Sequence, residues 1–297
     1  MAGAGKHTNY GLLDDINSDP TLDACTLLNS YVEDDENVSQ FFQTRIQSSY
    51  HDVSSFKDLF NRSCNPLILS LNIQSLNSKY ESLKYLVSDL LNAQVPLDLI
   101  IIQETWEVKY PSLFILPGFQ QIITRTRDGK RGGGVGIYIR NGLNFAVRGD
   151  LEDYRLNTFE NIVLEILYPN KSMIVSNIYR SPTPPPNLTV SDHTELFLNT
   201  LDSHLARLSE LNKNVYVFTD SNINLLRLHD NPLCSDYLDT LILNGFIQII
   251  GKATRIQHST PSLIDHIFTN TNLTKYNAGT ILDDLSDHFI NYIQNIA

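Results

Sequence analysis

The sequence predicts an α/β protein in which two β-sheets pack against each other with helices on the outside. Three observations carry that expectation. Apolar strands and amphipathic helices alternate over 66–104, a crossover-like spacing. Strands near 120–124, 134–140, 161–167 and 172–179 then follow without intervening helices, a hairpin-like spacing. Together these argue for two packed sheets rather than one parallel sheet. Finally, 297 residues with 42% hydrophobic content suffice for a real core.

Along the chain, residues 1–50 are polar and rich in Asn, Asp and Ser. Most of this reads as a mobile tail with a short helix around 22–32, or as an acidic docking segment. Residues 51–65 read as a connector, so the expected organisation is a largely disordered tail and connector over 1–65 and one folded domain over 66–297. The first core strand is "PLILSLN" (66–72). "SLNSKYESLKYLVSDLLNAQ" (75–94) places Leu83, Leu86, Val87, Leu90 and Leu91 at helical spacing. "LDLIIIQE" (97–104) is a second buried strand. After the run of hairpin strands, "SDHTELFLNTLDSHLARLSEL" (191–211) is a strong helix and "NVYVFTD" (214–220) a strand. "CSDYLDTLILNG" (234–245) is a helix ending at Gly245, "SLIDHIFTN" (262–270) a strand, and "LSDHFINYIQNIA" (285–297) a loop leading into a strand.

Bulk chemistry excludes several classes. The formal net charge is -11, which is not the electrostatic footprint of a basic nucleic-acid binder. Ten acidic and four basic residues fall within 1–65, leaving 23 and 18 for the remainder, so the folded part is only mildly acidic. A bound divalent cation would reverse the local sign for a phosphate substrate. Three widely spaced cysteines, Cys25, Cys64 and Cys234, fit a reducing compartment and neither a disulfide scaffold nor a zinc site. The N-terminus lacks the apolar core of a signal peptide, and no apolar run approaches the ~20 residues that span a bilayer.

The informative residues sit at strand ends. Asn72, Glu104, Tyr179 with Arg180, Asp220 with Asn222, Asp265, and Asp287 with His288 all terminate or follow apolar runs. Singly, such residues are caps and turns. Together they are hard oxygen donors that would suit Mg²⁺ or Mn²⁺ if the strand ends share one rim. An Asp beside an Asn suits water activation plus a donor to a charged oxygen, and an Asp near a His would orient the imidazole and favour its cationic form.

Six segments in order, "LIIIQETW", "RGGGVGIYIR", "SNIYRSP", "TDSNINLL", "SLIDHIFTN" and "SDHF", resemble the endonuclease/exonuclease/phosphatase superfamily of DNase I-like proteins. The closer resemblance is to the endonuclease domain of non-LTR (LINE-type) retrotransposons, and it covers roughly 66–297. It implies a four-layer α/β sandwich, two facing mixed β-sheets flanked by helices, with the site at one rim. It further implies a Mg²⁺-dependent nick in double-stranded DNA that leaves a 3′-hydroxyl and a 5′-phosphate, with Mn²⁺ as a substitute. By the same resemblance Glu104 is the main metal ligand, with Asn72 and Asp287 nearby. Asp220 is the base, Asn222 donates to the transition state, Tyr179 bonds the scissile phosphate, and Asp265 pairs with a phosphate-facing His288. Arg180, Thr254 and Arg255 are expected at the DNA. A reverse transcriptase domain in a longer polyprotein is an implied partner, the chain being a fragment, a truncated copy or a stand-alone product. The implied place of action is the nucleus.

The resemblance is imperfect at one motif: the family commonly has Gly-Asp-Phe-Asn where this chain has Thr219-Asp220-Ser221-Asn222. The alternatives are a phosphatase or abasic-site endonuclease of the same fold, and an inactive interaction module. "GKRGGGVGIYIR" reads as a turn into a central strand, since it lacks the Lys-Ser/Thr of a P-loop and precedes a strand; Arg125, Arg127, Lys130 and Arg131 around it read as solvated charges or phosphate contacts. Trp106 reads as a packing residue or a contact to DNA sugars. His193, His204, His229 and His258 read as surface residues, and His266 should face away from Asp265.

Overall fold

A computed structural model describes residues 10–33, 46–60, 66–127, 131–271 and 276–295. The elements in order are α1 (Tyr10–Ser18), α2 (Cys25–Glu33), β1 (Ser49–Asp52), α3 (Val53–Phe60), β2 (Leu67–Asn72), α4 (Leu76–Asn92), β3 (Leu97–Gln103), β4 (Ile123–Arg125), β5 (Val135–Ile139), β6 (Asn144–Val147), β7 (Tyr154–Arg155), β8 (Phe159–Leu167), β9 (Ser172–Tyr179), α5 (Val190–Ser209), β10 (Asn214–Asp220), α6 (Pro232–Leu243), β11 (Ile247–Gln248), β12 (Arg255–Gln257), β13 (Thr260–Ser262), β14 (Asp265–Thr269), β15 (Tyr276–Leu282) and β16 (Ile290–Asn295).

The first sheet runs β1-β15-β16-β2-β3-β5-β4; the second runs β11-β14-β10-β9-β8-β6, with β7 also paired to β8. Strand alternation assigns the layers. In β3, Leu99 and Ile101 pack into the core shared with Ile162, Leu164 and Ile174 of the second sheet. Ile100 and Ile102 face the other way, onto Leu83, Leu86, Val87 and Leu90 of α4. On the far side of the second sheet, α5 and α6 contribute Phe197, Leu201, Tyr237 and Leu241. The result is the expected four-layer order, helix–sheet–sheet–helix.

α5 starts where the sequence says it should. Thr189 caps it, accepting from the Asp192 N–H while the Asp192 carboxylate accepts from Thr189, a capping box that satisfies two otherwise unpaired donors. Gly245, in the left-handed region, closes the turn after α6. One polar bridge crosses the apolar layer between the sheets. Gln103 Nε2 donates to Asn177 Oδ1 at 2.7 Å, and Asn177 Nδ2 donates to the Ile102 carbonyl at 2.9 Å. Both amides are buried, so leaving either unpaired would cost about 1–3 kcal/mol.

The N-terminal expectation needs correction. β1 pairs in parallel with β15, Ser49 opposite Gly279. Phe56 and Phe60 of α3 are buried against Tyr292. Ala24, just before α2, and Leu28 of α2 join the main core. The acidic composition hid this because the apolar residues involved are few and spread over short elements. Asp23 also has a specific partner, Lys252 Nζ at 2.8 Å. Residues 1–9, 34–45, 61–65 and 128–130, with Cys64 and Lys130 among them, lie outside the described residues. Among the described residues no helix is long and apolar enough to cross a membrane.

Candidate active site

Strand directions bring the predicted residues to one rim. β2 and β3 are parallel and end in register at Asn72 and Gln103, with Glu104 one residue on. β9 and β10 are parallel and end with Tyr179 opposite Asp220. β14 runs antiparallel to β10 and begins at Asp265, opposite Asp220. β16 runs antiparallel to β2 and begins at Ile290, just past His288. Antiparallel strands that start where parallel ones end place their first residues at the same edge.

Asn72 is the hub. Its Nδ2 donates to Asp220 Oδ2 at 2.7 Å and to Glu104 Oε1 at 3.1 Å, and its Oδ1 accepts from the Gln74 N–H at 3.0 Å. The amide orientation is therefore fixed from both ends, with nitrogen toward the carboxylates. This differs from the expected role as a metal ligand: Asn72 holds two carboxylates together. The Tyr179 hydroxyl donates to Glu104 Oε1 at 3.0 Å, so it holds the same carboxylate. His288 Nδ1 lies 2.9 Å from Asp265 Oδ2. Ligand atoms of Asp220, Asp265 and His288 all fall within 4.8 Å of one another.

The electrostatics follow from crowding in a buried place. Burial first, then the charges of Asp265 and Glu104, push the Asp220 carboxyl up to about 8, against the pull of His288 and Asn72. Burial alone would depress His288; Asp265, Asp220 and Asp287 outweigh it and push the imidazole up to about 9. Burial beside Glu104 and Asp220 raises the Tyr179 phenol. A bound cation would favour the ionised form of the Asp220 carboxyl in this crowded place. The carboxyl oxygens of Glu104, Asp220 and Asp265 are the donors that fit a hard divalent cation.

The remaining expected residues take varied positions. Asn222, in the left-handed region, spends one amide N–H on the Arg180 carbonyl at 2.8 Å, leaving its second. Asp287 is held by Arg255 through Oδ2, while Oδ1 lies 3.9 Å from His288 Nε2. Arg255 is thus committed to an ion pair at the rim. Arg180 is not at a DNA surface: it is buried, donates to the Ser221 carbonyl and Thr194 Oγ1, and covers the Phe197 ring. Thr254 is also buried, donating to Asp265 Oδ2 at 2.6 Å, so it orients Asp265. His193 and His204 are buried, contrary to the surface expectation, while His229 and His258 are exposed. Arg125 pairs with Glu152 but stays exposed to solvent, whereas Arg127 is buried against Glu160 and is not free for phosphate.

The altered tip at 219–222 has a physical account. Ser221 is fully buried, its Oγ 3.2 Å from His266 Nδ1, which Tyr237 also approaches at 3.0 Å. His266 Nε2 lies 3.1 Å from the Leu263 carbonyl. A polar contact replaces the apolar packing of phenylalanine, and Asp220 keeps its place. As expected, His266 points away from Asp265.

Three contributors were missed. The Trp106 indole N–H donates to Glu104 Oε2 at 3.2 Å; its place two residues after Glu104 was the available signal. Ser286 Oγ donates to the Asn72 carbonyl at 2.7 Å and accepts from the His288 N–H at 3.0 Å, tying the His288 loop to β2. Glu160 accepts from the Gly134 N–H and pairs with Arg127, whose guanidinium lies over the Tyr179 ring. Neither of these last two carries a local sequence signature.

A model of the Endonuclease/Exonuclease/phosphatase family matches residues 69–288. The chain belongs to that family, whose members are typically hydrolytic nucleases and phosphatases. Among solved structures it is similar to the endonuclease domain of TRAS1, a telomere-specific non-LTR retrotransposon, at 14% identity and a TM-score of 0.54 over 78% of this chain and 98% of that one. It is also similar to the Xenopus laevis APE2 catalytic domain, at 15% identity and a TM-score of 0.58 over 77% and 91%. A third similar structure is the Neisseria meningitidis 3′-5′ exonuclease NExo, at 16% identity and a TM-score of 0.56 over 76% and 98%. At these identities the likeness establishes the fold. No curated protein matches the chain.

Proposed function

We propose that this protein is a divalent-cation-dependent phosphodiesterase that nicks double-stranded DNA, leaving a 3′-hydroxyl and a 5′-phosphate, with Mg²⁺ the expected cation and Mn²⁺ a substitute. The observation that carries the reading is the Asn72-centred network, which joins Glu104 and Asp220 beside the Asp265–His288 pair. Glu104, with Asp220 and Asp265 close by, would hold the cation, which when bound supplies neutralisation of charge on the phosphate and the leaving oxygen.

The chain's own residues supply the rest. Asp220, once ionised, takes the proton of the attacking water; Asn72 fixes the direction of its carboxylate. His288 is cationic at neutral pH, and with Nδ1 on Asp265 its Nε2–H is the donor left for a non-bridging phosphate oxygen. The second N–H of Asn222 is a further donor beside Asp220. Tyr179 steadies Glu104. A retrotransposition role, with a reverse transcriptase on the same longer protein and action in the nucleus, rests on the resemblance of the six segments and on the likeness to the TRAS1 domain.

The test is nicking of supercoiled plasmid with Mg²⁺ or EDTA, using Glu104→Ala and His288→Ala as controls. Mg²⁺-dependent nicking that both substitutions abolish supports the reading. One observation favours phosphatase action on a small phosphate instead: Arg180, expected at the DNA, is buried on internal partners, and Arg255 is paired with Asp287. Phosphate release from a monoester without plasmid nicking would select that alternative.

A further inference from the structure

The segment after β3 is strained and clamped. Glu104 and Trp106 both lie in the left-handed region, φ 51 and φ 57, which is uncommon for side chains of their size. The clamps come from both flanks. The Ser75 and Leu76 N–H groups donate to the Glu104 and Thr105 carbonyls at 2.8 and 3.0 Å, and the Trp106 N–H donates to the Gly133 carbonyl at 2.9 Å. Gly134 must be glycine: a Cβ there would stand 2.6 Å from Thr105 Oγ1. Strain of this kind persists where surrounding structure over-determines it, and it concentrates at functional sites.

Here the strain turns the Trp106 indole back onto the carboxylate two residues earlier. Its Nε1 donates to Glu104 Oε2 at 3.2 Å, and the Arg131 guanidinium covers the ring at 4.7 Å. A carboxylate offers about four acceptor sites. Among the described residues Glu104 Oε1 takes two donors, Asn72 and Tyr179, and Oε2 takes one, Trp106. One acceptor site therefore remains, on Oε2.

The geometry points to Trp106 as the positioning residue that fixes Glu104 so that a divalent cation meets a single, pre-aimed acceptor on Oε2, with Arg131 holding the indole in place. This rests on the cation-dependent reading above and assigns to Trp106 a task beyond packing or DNA contact. Partners that orient ligating carboxylates typically change metal affinity ~10–100-fold. Because the effect is on cation binding, excess metal should restore turnover.

Trp106 is the only tryptophan in the chain, so it reports on itself. Mn²⁺ is titrated into the full-length protein without DNA and followed by tryptophan fluorescence, and by calorimetry for wild type and Trp106→Phe. The expected result is a saturable fluorescence change in wild type that Glu104→Gln removes. Trp106→Phe should bind Mn²⁺ ~10-fold more weakly, with its nicking rate recovering at high metal. Calorimetric Mn²⁺ binding in wild type with no indole response, or equal affinity in Trp106→Phe, would overturn the role of Trp106 and leave the site reading intact. Failure of wild type to bind Mn²⁺ at all would overturn the site reading and this inference together. Should Trp106→Phe not fold, the wild-type and Glu104→Gln fluorescence arms decide the matter.

Discussion

Two aspartate–histidine pairs, each with a buried histidine, sit in different regions of this molecule and end in opposite states. At the rim, His288 Nδ1 lies 2.9 Å from Asp265 Oδ2, with Asp220 and Asp287 also facing it. Its imidazole is pushed up to about 9. On α5, His204 Nδ1 lies 3.6 Å from Asp153 Oδ2, too long for a hydrogen bond, while Ser176 Oγ sits 3.0 Å from Nε2. Burial depresses that imidazole and outweighs the upward pull of Asp153, and the nearby Arg207 adds to the depression. Ser176, His204 and Asp153 have the residue types of a hydrolytic triad. Yet Ser176 and His204 are sealed from solvent, and an inaccessible serine attacks nothing. Residue type does not make a site; the surrounding charge and the access do.

The sharpest break between the regions is kinetic. Asp220→Asn or His288→Gln should slow single-turnover nicking by ~10²–10⁴-fold with little loss of folded protein. His204→Gln should leave the nicking rate of the folded fraction near wild type and appear as lower stability in urea. Asn72→Ala removes the amide that joins Glu104 to Asp220 and should weaken Mg²⁺ or Mn²⁺ binding by ~10–100-fold, read by calorimetry.

The pH dependences should run in opposite directions. The ordinary histidine value is 6.5. His288 is raised, so its contribution to stability is fully present below that value and is lost as pH rises through about 9. His204 is depressed, so its contribution is present above the ordinary value and is lost as pH falls below it. In EDTA, the melting-temperature gap between wild type and His288→Gln should narrow on the alkaline side. The gap between wild type and His204→Gln should narrow on the acid side. Parallel trends would show that the two pairs do not differ in charge.

The smallest effect concerns the altered tip. Ser221→Phe, which restores the family's common residue, should destabilise by about 1–3 kcal/mol through overpacking against His266 and Tyr237. Ser221→Ala should cost about 1 kcal/mol. Both are read in urea denaturation.

These contrasts show what the sequence could and could not reveal. Strand tips were legible because an unbroken apolar run bordered by polar residues marks both a buried strand and its polar end. Asn72, Glu104, Tyr179, Asp220, Asp265 and His288 were identified that way, and six ordered segments supplied the topology that joins them. Burial of polar side chains left no such local mark. His204 depends on Ser176, Thr254 on Asp265, and Ser221 on His266, pairings 11 to 45 positions apart. Arg180 follows Tyr179 yet turns inward, where Thr194, the Ser221 carbonyl and the Phe197 ring accept it. The described N-terminal elements were hidden by composition, since the side chains that dock are spread over short elements within a polar, acidic stretch.

The measurement that bears most directly on the site is the nicking rate of supercoiled plasmid as Mg²⁺ is titrated into wild type, Glu104→Gln and His204→Gln. A saturable Mg²⁺ dependence in wild type, kept by the folded fraction of His204→Gln and lost in a folded Glu104→Gln, is the predicted result. Nicking by Glu104→Gln at the wild-type rate, or nicking indifferent to Mg²⁺ and EDTA, would contradict the assignment of the reaction to this rim.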